Sequence, residues 1–293
     1  MIDRYTIRYF LAVIDHGNFS KAAAQCNVSQ PTLSVGIAKL ERLLGRKLFQ
    51  RTSKRVELTV SGAHFAVHAR RIEADFAEAE RSVADTAAQN TIHLGILSTI
   101  PTRWHEVLVN EFQPFVETER VEFVEARERD LLEQLSRGRI DMALTIVRDD
   151  NDRFVSRPLF TEGYALAMGL DHSLAQEEVI AAEALADNVM IARRNCEALS
   201  ETSRHFTSRG VRPFFAAKTN NDDRALAYVR SGLGITVMPM SFACPEIAMP
   251  RLAGFALKRT IGILFAAHVH PAQIEATSSY KAMAAAIPKL RRG

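Results

Sequence analysis

The segment covering residues 19–44, FSKAAAQCNVSQPTLSVGIAKLERLL, restricts the fold of this chain more than any other. Its pattern predicts two short helices around a tight turn. Phe19, Ala22, Ala23 and Cys26 give the first helix a small apolar face, with Ser20 placed to cap it. Asn27 and Val28 make the break. Ser29 then caps a second helix, and Pro31 falls early in it, where a missing N–H costs little. Leu33, Ile37, Leu40 and Leu44 recur at helical spacing and share one face, which must pack on the first helix. The opposite face carries Gln30, Thr32, Ser34, Val35 and Lys39. Small hydrogen-bonding groups on an outer helix face, flanked by Arg and Lys, suit a DNA major groove.

Charge supports that reading. The chain has 293 residues and a formal net charge of +3, but residues 1–59 hold ten Lys/Arg against four Asp/Glu, a local +6. Residues 60–89 sum to −2 and the remainder to −1. An excess confined to the helix pair is the electrostatic footprint expected for nucleic acid. Ahead of the pair, Ile7, Phe10, Leu11 and Ile14 mark a first helix that Gly17 ends. Behind it, Gly45 stops the second helix, and Leu48 and Phe49 return to the core. The run RTSKRVELT predicts a short hairpin with Arg51, Lys54 and Arg55 at or near its tip, a wing aimed at phosphates or the adjacent minor groove.

Beyond residue 60 the pattern becomes one long helix of about 27 residues, with Phe65, Ala69, Ile72, Phe76, Ala79 and Val83 forming a heptad seam. Such a seam needs a partner helix, expected from a second copy of the chain. From residue 90 strands and helices alternate, predicting parallel α/β lobes: strands over 92–97, 121–124, 142–147, 164–168, 189–192, 214–218, 235–238 and 261–267, with helices over 101–117, 130–137, 182–186, 197–209, 222–231 and 273–286. No apolar run approaches the ~20 residues of a membrane span, and the N-terminus reads as a helix rather than a signal peptide. Three cysteines, Cys26, Cys196 and Cys244, form no even framework and fit a reducing cytoplasm. His64 and His68 share a helix face, and His268 and His270 share a strand side, but neither pair has the further ligands a metal needs. Gly232 and Gly234 lack the rest of a dinucleotide fingerprint. No catalytic constellation and no cofactor is expected.

These features together resemble the LysR-type transcriptional regulators. The resemblance is carried by FSKAAAQCNVSQPTLSVGIAKLERLLGRKLFQRTSKRVELTVSG, the long helix, and VRSGLGITVMP at 229–239. It implies a winged helix-turn-helix over 1–59, a dimerising linker helix over 60–89, and an effector domain over 90–293 like a two-lobed periplasmic binding protein. Lobe I is then about 90–161 and 266–293, and lobe II about 162–265. It further implies a cytoplasmic, non-enzymatic regulator: a homodimer paired into a homotetramer. Its DNA partner is then an interrupted palindrome upstream of a target gene, with effector-dependent contact to RNA polymerase. Val35 and Gly36 depart from the family pattern. Val35 offers methyls to a thymine but no hydrogen bond, which shifts base readout to Gln30, Pro31, Thr32 and Ser34. Gly36 weakens the helix by about 1 kcal/mol relative to Ala, unless close approach to DNA needs the missing side chain.

Ligands of two-lobed α/β domains lie at the carboxyl ends of strands. Ser98, Thr99 and Ile100 precede a helix there, Thr145 ends the third strand, Arg193, Arg194 and Asn195 follow the strand ending at 192, and Asn220 precedes another helix. By resemblance, the first two groups match effector positions; the arginines are assigned by local chemistry. A small organic anion is the expected effector. The alternative is a thiol-based redox sensor of the same architecture: Cys196 lies beside Arg193 and Arg194 at an expected helix start, which favours thiolate, with Cys244 as the candidate partner.

Overall fold

The computed structural model describes residues 1–51, 56–84, 91–148 and 153–292. By contacts the chain divides into two units, one built on residues 1–88 with 133–139 and 266–270, the other on 89–132, 140–265 and 271–293.

The first unit opens with α1 (Arg4–His16), α2 (Phe19–Gln25) and α3 (Gln30–Leu44). Asp3 caps α1 through a side-chain bond to the Thr6 N–H. The sequence pattern gives the α2 cap to Ser20; the structure gives it to Asn18, whose side chain accepts from the N–H groups of Ser20 and Lys21. Asn is at least as good an N-cap as Ser, so Ser20 becomes the second residue of the helix. Asn27 supplies the turn at φ 55°, a left-handed conformation that Asn tolerates through local side-chain bonding. Ser29 caps α3 through the Thr32 N–H, and Gly45 ends it at φ 65°.

Leu33, Ile37 and Leu40 are buried against Ile7, Phe10 and Val13 of α1. Gly36 is buried on this same inward face, where an added Cβ would lie 2.6 Å from Tyr9 Cδ2. The missing side chain therefore serves the approach of α1 to α3 rather than the approach of DNA. A small wing follows, with β1 (Phe49–Arg51) antiparallel to β2 (Val56–Leu58). Glu41 fixes its entry: the carboxylate is buried, accepts from the N–H groups of Leu48 (2.9 Å) and Phe49 (3.3 Å), and pairs with Lys47. Phe49 returns to the core beside Phe10, ring centroids 5.2 Å apart.

The long helix is α4 (Val60–Ala84). Its seam divides into two parts. Phe65 and Ala69 pack on the core of their own unit, whereas Ile72 (37% exposed), Phe76 (43%) and Ala79 stay on the surface. The first turns thus find their partner within the unit, while the later stretch stays exposed, with the Arg4 guanidinium 4.7 Å over the Phe76 ring. The side chain of Val83 lies outside the described set.

The second unit has two lobes. Lobe I holds β3 (Thr91–Leu97), α5 (Thr102–Phe112), β4 (Arg120–Ala126), α6 (Glu128–Ser136) and β5 (Met142–Ile146), with β3 parallel to both β4 and β5. The chain then enters β6 (Val155–Gly169), 15 residues long, of which the sequence pattern recovers only the apolar end. Lobe II adds β7 (Val179–Ile180), a short 3-10 turn over Ala182–Leu185 where an α-helix was expected, β8 (Val189–Arg193) and α7 (Leu199–Thr207). It continues with β9 (Phe214–Thr219), α8 (Asp222–Arg230), β10 (Thr236–Pro239), β11 (Ile247–Ala248) and β12 (Arg251–Leu252). The chain returns through β13 (Lys258–Phe265), which pairs antiparallel with both β5 and β6.

The resulting sheet runs β10-β6-β13-β5-β3-β4, with β11 beside β6. It is mixed, because the two strands that cross between lobes run antiparallel. Two helices close the chain, α9 (Pro271–Ala276) and α10 (Ser278–Arg292), where one was expected. Glu119 makes the break by accepting from the N–H groups of Ser278 (2.9 Å) and Ser279 (2.8 Å) at the start of α10. Packing of α10 on α5 completes lobe I. β13 ends at Phe265, so His268 and His270 lie in a turn rather than alternating on a strand.

Candidate functional site

On α3 the inward face is spent on the core, and the outward face is free. Gln30, Pro31, Thr32 and Lys39 are exposed, Ser34 is half-buried, and Val35 is 69% exposed. The polar groups pair locally: Ser29 Oγ with Thr32 Oγ1 (2.8 Å), and Gln30 Nε2 donates to Ser34 Oγ (2.8 Å). Lys39 Nζ donates to Asp3 Oδ2 at 2.9 Å, an exposed surface pair of small energetic weight. Ser20 is exposed on α2. Arg51 ends β1 with its side chain outside the described set, and Lys54 and Arg55 lie outside the described residues.

In the second unit Ser98, Thr99 and Thr145 fall at the carboxyl ends of β3 and β5, where the sequence places the cleft. Ser98 Oγ and Thr145 Oγ1 are both buried there without a hydrogen-bond partner. The register pairs Ile96 with Leu144, which sets Thr145 level with Leu97 at the end of β3 and leaves Ser98 one residue beyond that end. Thr99, also buried, donates from Oγ1 to Glu197 Oε2 at 3.0 Å. Ile100 points into the core, and its N–H is spent on the Leu97 carbonyl.

Across the cleft Arg193 is only 2% exposed. Nε donates to Asp222 Oδ1 (2.9 Å), Nη1 to the Val237 carbonyl (2.8 Å), and Nη2 to Asp222 Oδ2. This guanidinium is therefore a structural tie, not a free anion receptor. Desolvating a cation without a partner is costly, and Asp222 supplies the partner. Arg194 is exposed and holds β9 through its N–H to Thr219 O. Asn195 Nδ2 donates to Asn220 O at 3.1 Å, and Asn220 borders a surface depression of about 270 Å³ with Lys218, Arg224 and Tyr228. These three groups sit at the rim of β8 and β9.

Cys196 is half-buried, its sulfur accepting from Arg193 Nη1 (3.2 Å) and the Ala198 N–H (3.3 Å). Burial pushes its thiol up to about 11, against the pull of Arg193. The expectation of a favoured thiolate thus fails. Arg193 is already neutralised by Asp222, Glu197 adds a negative neighbour, and α7 begins three residues further on. Cys244 packs on a different core cluster. Cys196 joins the one containing Tyr164, Leu166 and Met168, whereas Cys244 joins the one containing Ala167 and Met238. Alternate residues of one strand face opposite sides of a sheet, so the two sulfurs lie across it.

The sequence pattern misses the polar centre of the cleft. Glu197 accepts from Tyr164 OH (2.6 Å) and Arg259 Nη1 (2.7 Å); Arg259 Nε donates to Glu162 Oε1 (2.7 Å); and Glu162 accepts from the Ser241 N–H (2.6 Å). Arg103 donates to the carbonyls of Ser241 and Ala243. Burial alone would raise the Glu197 carboxyl; Arg259 and Arg193 hold it below its ordinary value. Glu162 and Arg259 lie just outside the strands read from the sequence, and only the observed extent of β6 and β13 places these charges inside the sheet, where a buried charge requires a partner.

Among the described residues, no three His, Cys, Asp or Glu side chains gather as metal ligands, and no helix is long and apolar enough to cross a membrane. A helix-turn-helix in a winged unit, joined to a two-lobed α/β domain, defines the class of a DNA-binding regulator. Two family models match: the bacterial regulatory helix-turn-helix protein of the lysR family over residues 5–63, and the LysR substrate binding domain over 86–280. The chain belongs to the LysR family, whose members are DNA-binding transcription regulators and not enzymes.

Among its relatives is a hydrogen peroxide-inducible genes activator of Dickeya chrysanthemi, 30% identical over 82% of this chain and 79% of that one. A probable hydrogen peroxide-inducible genes activator of Mycobacterium avium is 32% identical over 88% and 86%. The fold is shared with a full-length OxyR of Pseudomonas aeruginosa (TM-score 0.55, 22% identity, 98% of each chain). It is also shared with HinK, a LysR family regulator from the same organism (TM-score 0.56, 17% identity, 99% of each chain).

Proposed function

We propose that this regulator binds a small, hydrogen-bonding solute in the cleft, and that occupancy changes how a pair of α3 helices addresses an interrupted palindrome upstream of its target gene. The observation that carries the reading is the pair of buried, unpartnered hydroxyls of Ser98 and Thr145. Buried hydroxyls without partners cost about 1–3 kcal/mol each, and a hydrogen-bonding solute recovers that at each hydroxyl it reaches. The nearby cations favour an uncharged solute over the organic anion that the sequence suggests, because Arg193 and Arg259 are already paired with carboxylates. The open stretch of α4 around Ile72 and Phe76 supports pairing with a second copy, and a dimer places two recognition helices on two half-sites. Pairing of dimers into a tetramer, and contact with RNA polymerase, follow the same reading. Val35, Gln30, Thr32 and Ser34 supply base contacts; Lys39, Arg51, Lys54 and Arg55 supply phosphate contacts.

The experiment is binding to DNA upstream of the chain's own gene at fixed salt, with and without a solute panel, for wild type and for Ser98→Ala and Thr145→Val. The expected result is unchanged basal DNA affinity with loss of the solute response. Retention of the full response in both variants overturns the assignment.

A second reading is peroxide sensing at Cys196, favoured by the names of the relatives. The step would be thiol plus hydrogen peroxide giving sulfenic acid and water; among the described residues, no second cysteine joins the core cluster of Cys196. Peroxide-dependent DNA binding that is lost in Cys196→Ser supports it. A response that survives that substitution rejects it.

A further inference from the structure

Three donors in the cleft converge on one carboxylate. Thr99 Oγ1 reaches Glu197 Oε2 at 3.0 Å, while Tyr164 OH (2.6 Å) and Arg259 Nη1 (2.7 Å) reach Oε1. Each of the three donor residues is more than nine-tenths buried, so without an acceptor at this point the Thr99 and Tyr164 hydroxyls would be stranded, and Arg259 Nη1 would keep only the Thr99 carbonyl and hydroxyl oxygens, each at 3.1 Å. They come from the segment after β3, from β6 and from β13, the last two being the strands that cross between lobes. The remaining valences of Arg259 are fixed by Glu162 (2.7 Å), Ser241 Oγ (3.2 Å) and the Thr99 carbonyl (3.1 Å). The guanidinium therefore stays in place whether or not Glu197 does. Two hydroxyls and a guanidinium held in this way form a receptor for a carboxylate.

Glu197 belongs to none of the elements that build the receptor. It sits in the connector between β8 and α7, and its side chain enters from lobe II to bond Thr99 of lobe I.

We propose that Thr99, Tyr164 and Arg259 form a carboxylate-binding site of the cleft, and that Glu197 is its tethered occupant, a ligand carried by the chain itself. The proposal rests on reading this domain as one whose lobes respond to a solute. It adds that the carboxylate position is filled from within. A tethered group competes at an effective concentration in the millimolar range, so dilute free carboxylates do not enter. Removing the Glu197 side chain beyond Cβ removes the atoms of one acetate and opens the site to acetate itself.

The test is thermal unfolding of the full chain as wild type, Glu197→Ala and Glu197→Ala/Thr99→Val, titrated with sodium acetate against sodium chloride at equal ionic strength. Glu197→Ala is expected to melt several degrees lower. Acetate, but not chloride, should restore at least half of that loss with saturation, while wild type shows no difference between the salts. The double variant should need at least tenfold more acetate. Equal effects of the two salts on Glu197→Ala, or equal acetate stabilisation of wild type, overturns the proposal.

Should Glu197→Ala not fold, Glu197→Gln keeps the volume and removes the charge. Alkylation of the neighbouring Cys196 should then be several-fold faster than in wild type, and an unchanged rate counts against the tether. Binding to upstream DNA is measured in parallel. Solute-responsive DNA binding without acetate rescue rejects the tethered ligand and leaves the proposed function standing. Acetate rescue without any solute response on DNA does the reverse.

Discussion

Replacing Arg193 tests whether it holds lobe II together or binds a ligand. Its guanidinium and the Asp222 carboxylate are both about 97% or more buried and bond through Nε and Nη2. Arg193→Met leaves a buried carboxylate without its cation, a defect of about 3–5 kcal/mol in comparable pairs. At roughly 2–4 °C per kcal/mol for a domain of this size, melting should fall by about 6–20 °C. Asp222→Leu alone should cost a similar amount, with up to about 1 kcal/mol more for losing an acid from the first turn of α8.

The double variant Arg193→Met/Asp222→Leu removes both charges together. What remains is the Val237 carbonyl without its 2.8 Å donor, worth about 1–3 kcal/mol. The double variant should therefore be more stable than either single one by roughly 2 kcal/mol. Differential scanning calorimetry of the full chain measures all three. If the losses of the single variants simply add, or if Arg193→Met melts within about 2 °C of wild type, the pair is not the tie described here.

Three further outcomes follow from the same reasoning. Gly36→Ala gains about 1 kcal/mol of helix propensity but sets a Cβ 2.6 Å from Tyr9 Cδ2; overpacking costs about 1–3 kcal/mol. Calorimetry should show a net loss that becomes a gain in a Tyr9→Ala background, and a loss in both backgrounds points to another cause. For Glu41, burial raises the carboxyl, but Lys47 and the N–H groups of Leu48 and Phe49 outweigh it and bring it below 4.5. Its stabilisation is complete above that value and fades as pH falls through the lowered one. Glu41→Gln should therefore flatten the acid loss of structure at the wing, read by amide exchange of Leu48 and Phe49; the same pH dependence in wild type and variant contradicts this. For Cys196, with Cys26 and Cys244 changed to Ser, alkylation by iodoacetamide should still be rising at pH 10, in keeping with a thiol near 11. A plateau below pH 8 would favour the peroxide reading instead.

The first unit was largely legible from residues alone because its signals are local. Caps, a left-handed Asn27, Pro31 in the first turn and a regular apolar spacing each specify one backbone feature, and the helices of the winged unit begin and end close to where those residues put them. Gly36 shows the limit: the residue declares a close approach but not what approaches. Tyr9, 27 positions earlier, is the answer, and only packing reveals it. In the second unit the crossing strand β6 was half hidden because Ser156, Arg157, Pro158 and Glu162 break the apolar alternation. Two of those residues, Arg157 and Glu162, face partners from distant parts of the chain. Glu275 meets Arg157, and Ser241 and Arg259 meet Glu162. The same non-local pairing hid the centre of the cleft. Arg193 reads as an exposed cation when only Arg194 and Asn195 are in view; Asp222, 29 residues away, turns it into a buried tie.

The ties across the cleft share one origin, which bears on how a bound solute could act at a distance. Thr99 bonds Glu197, Thr102 bonds Asp223, and Arg103 bonds the carbonyls of Ser241 and Ala243. All three lobe I residues lie within five positions of Ser98. A solute bonded to Ser98 would sit at the root of the segment that fastens lobe I to lobe II. Asp223 begins the path on the far side, because its neighbour Asp222 fixes Arg193, and Arg193 holds the carbonyl of Val237 in β10. Coupling requires a contiguous set of contacts with two arrangements. The bond from Thr102 to Asp223, and those from Asp222 through Arg193 to Val237, form one contiguous set over a few residues.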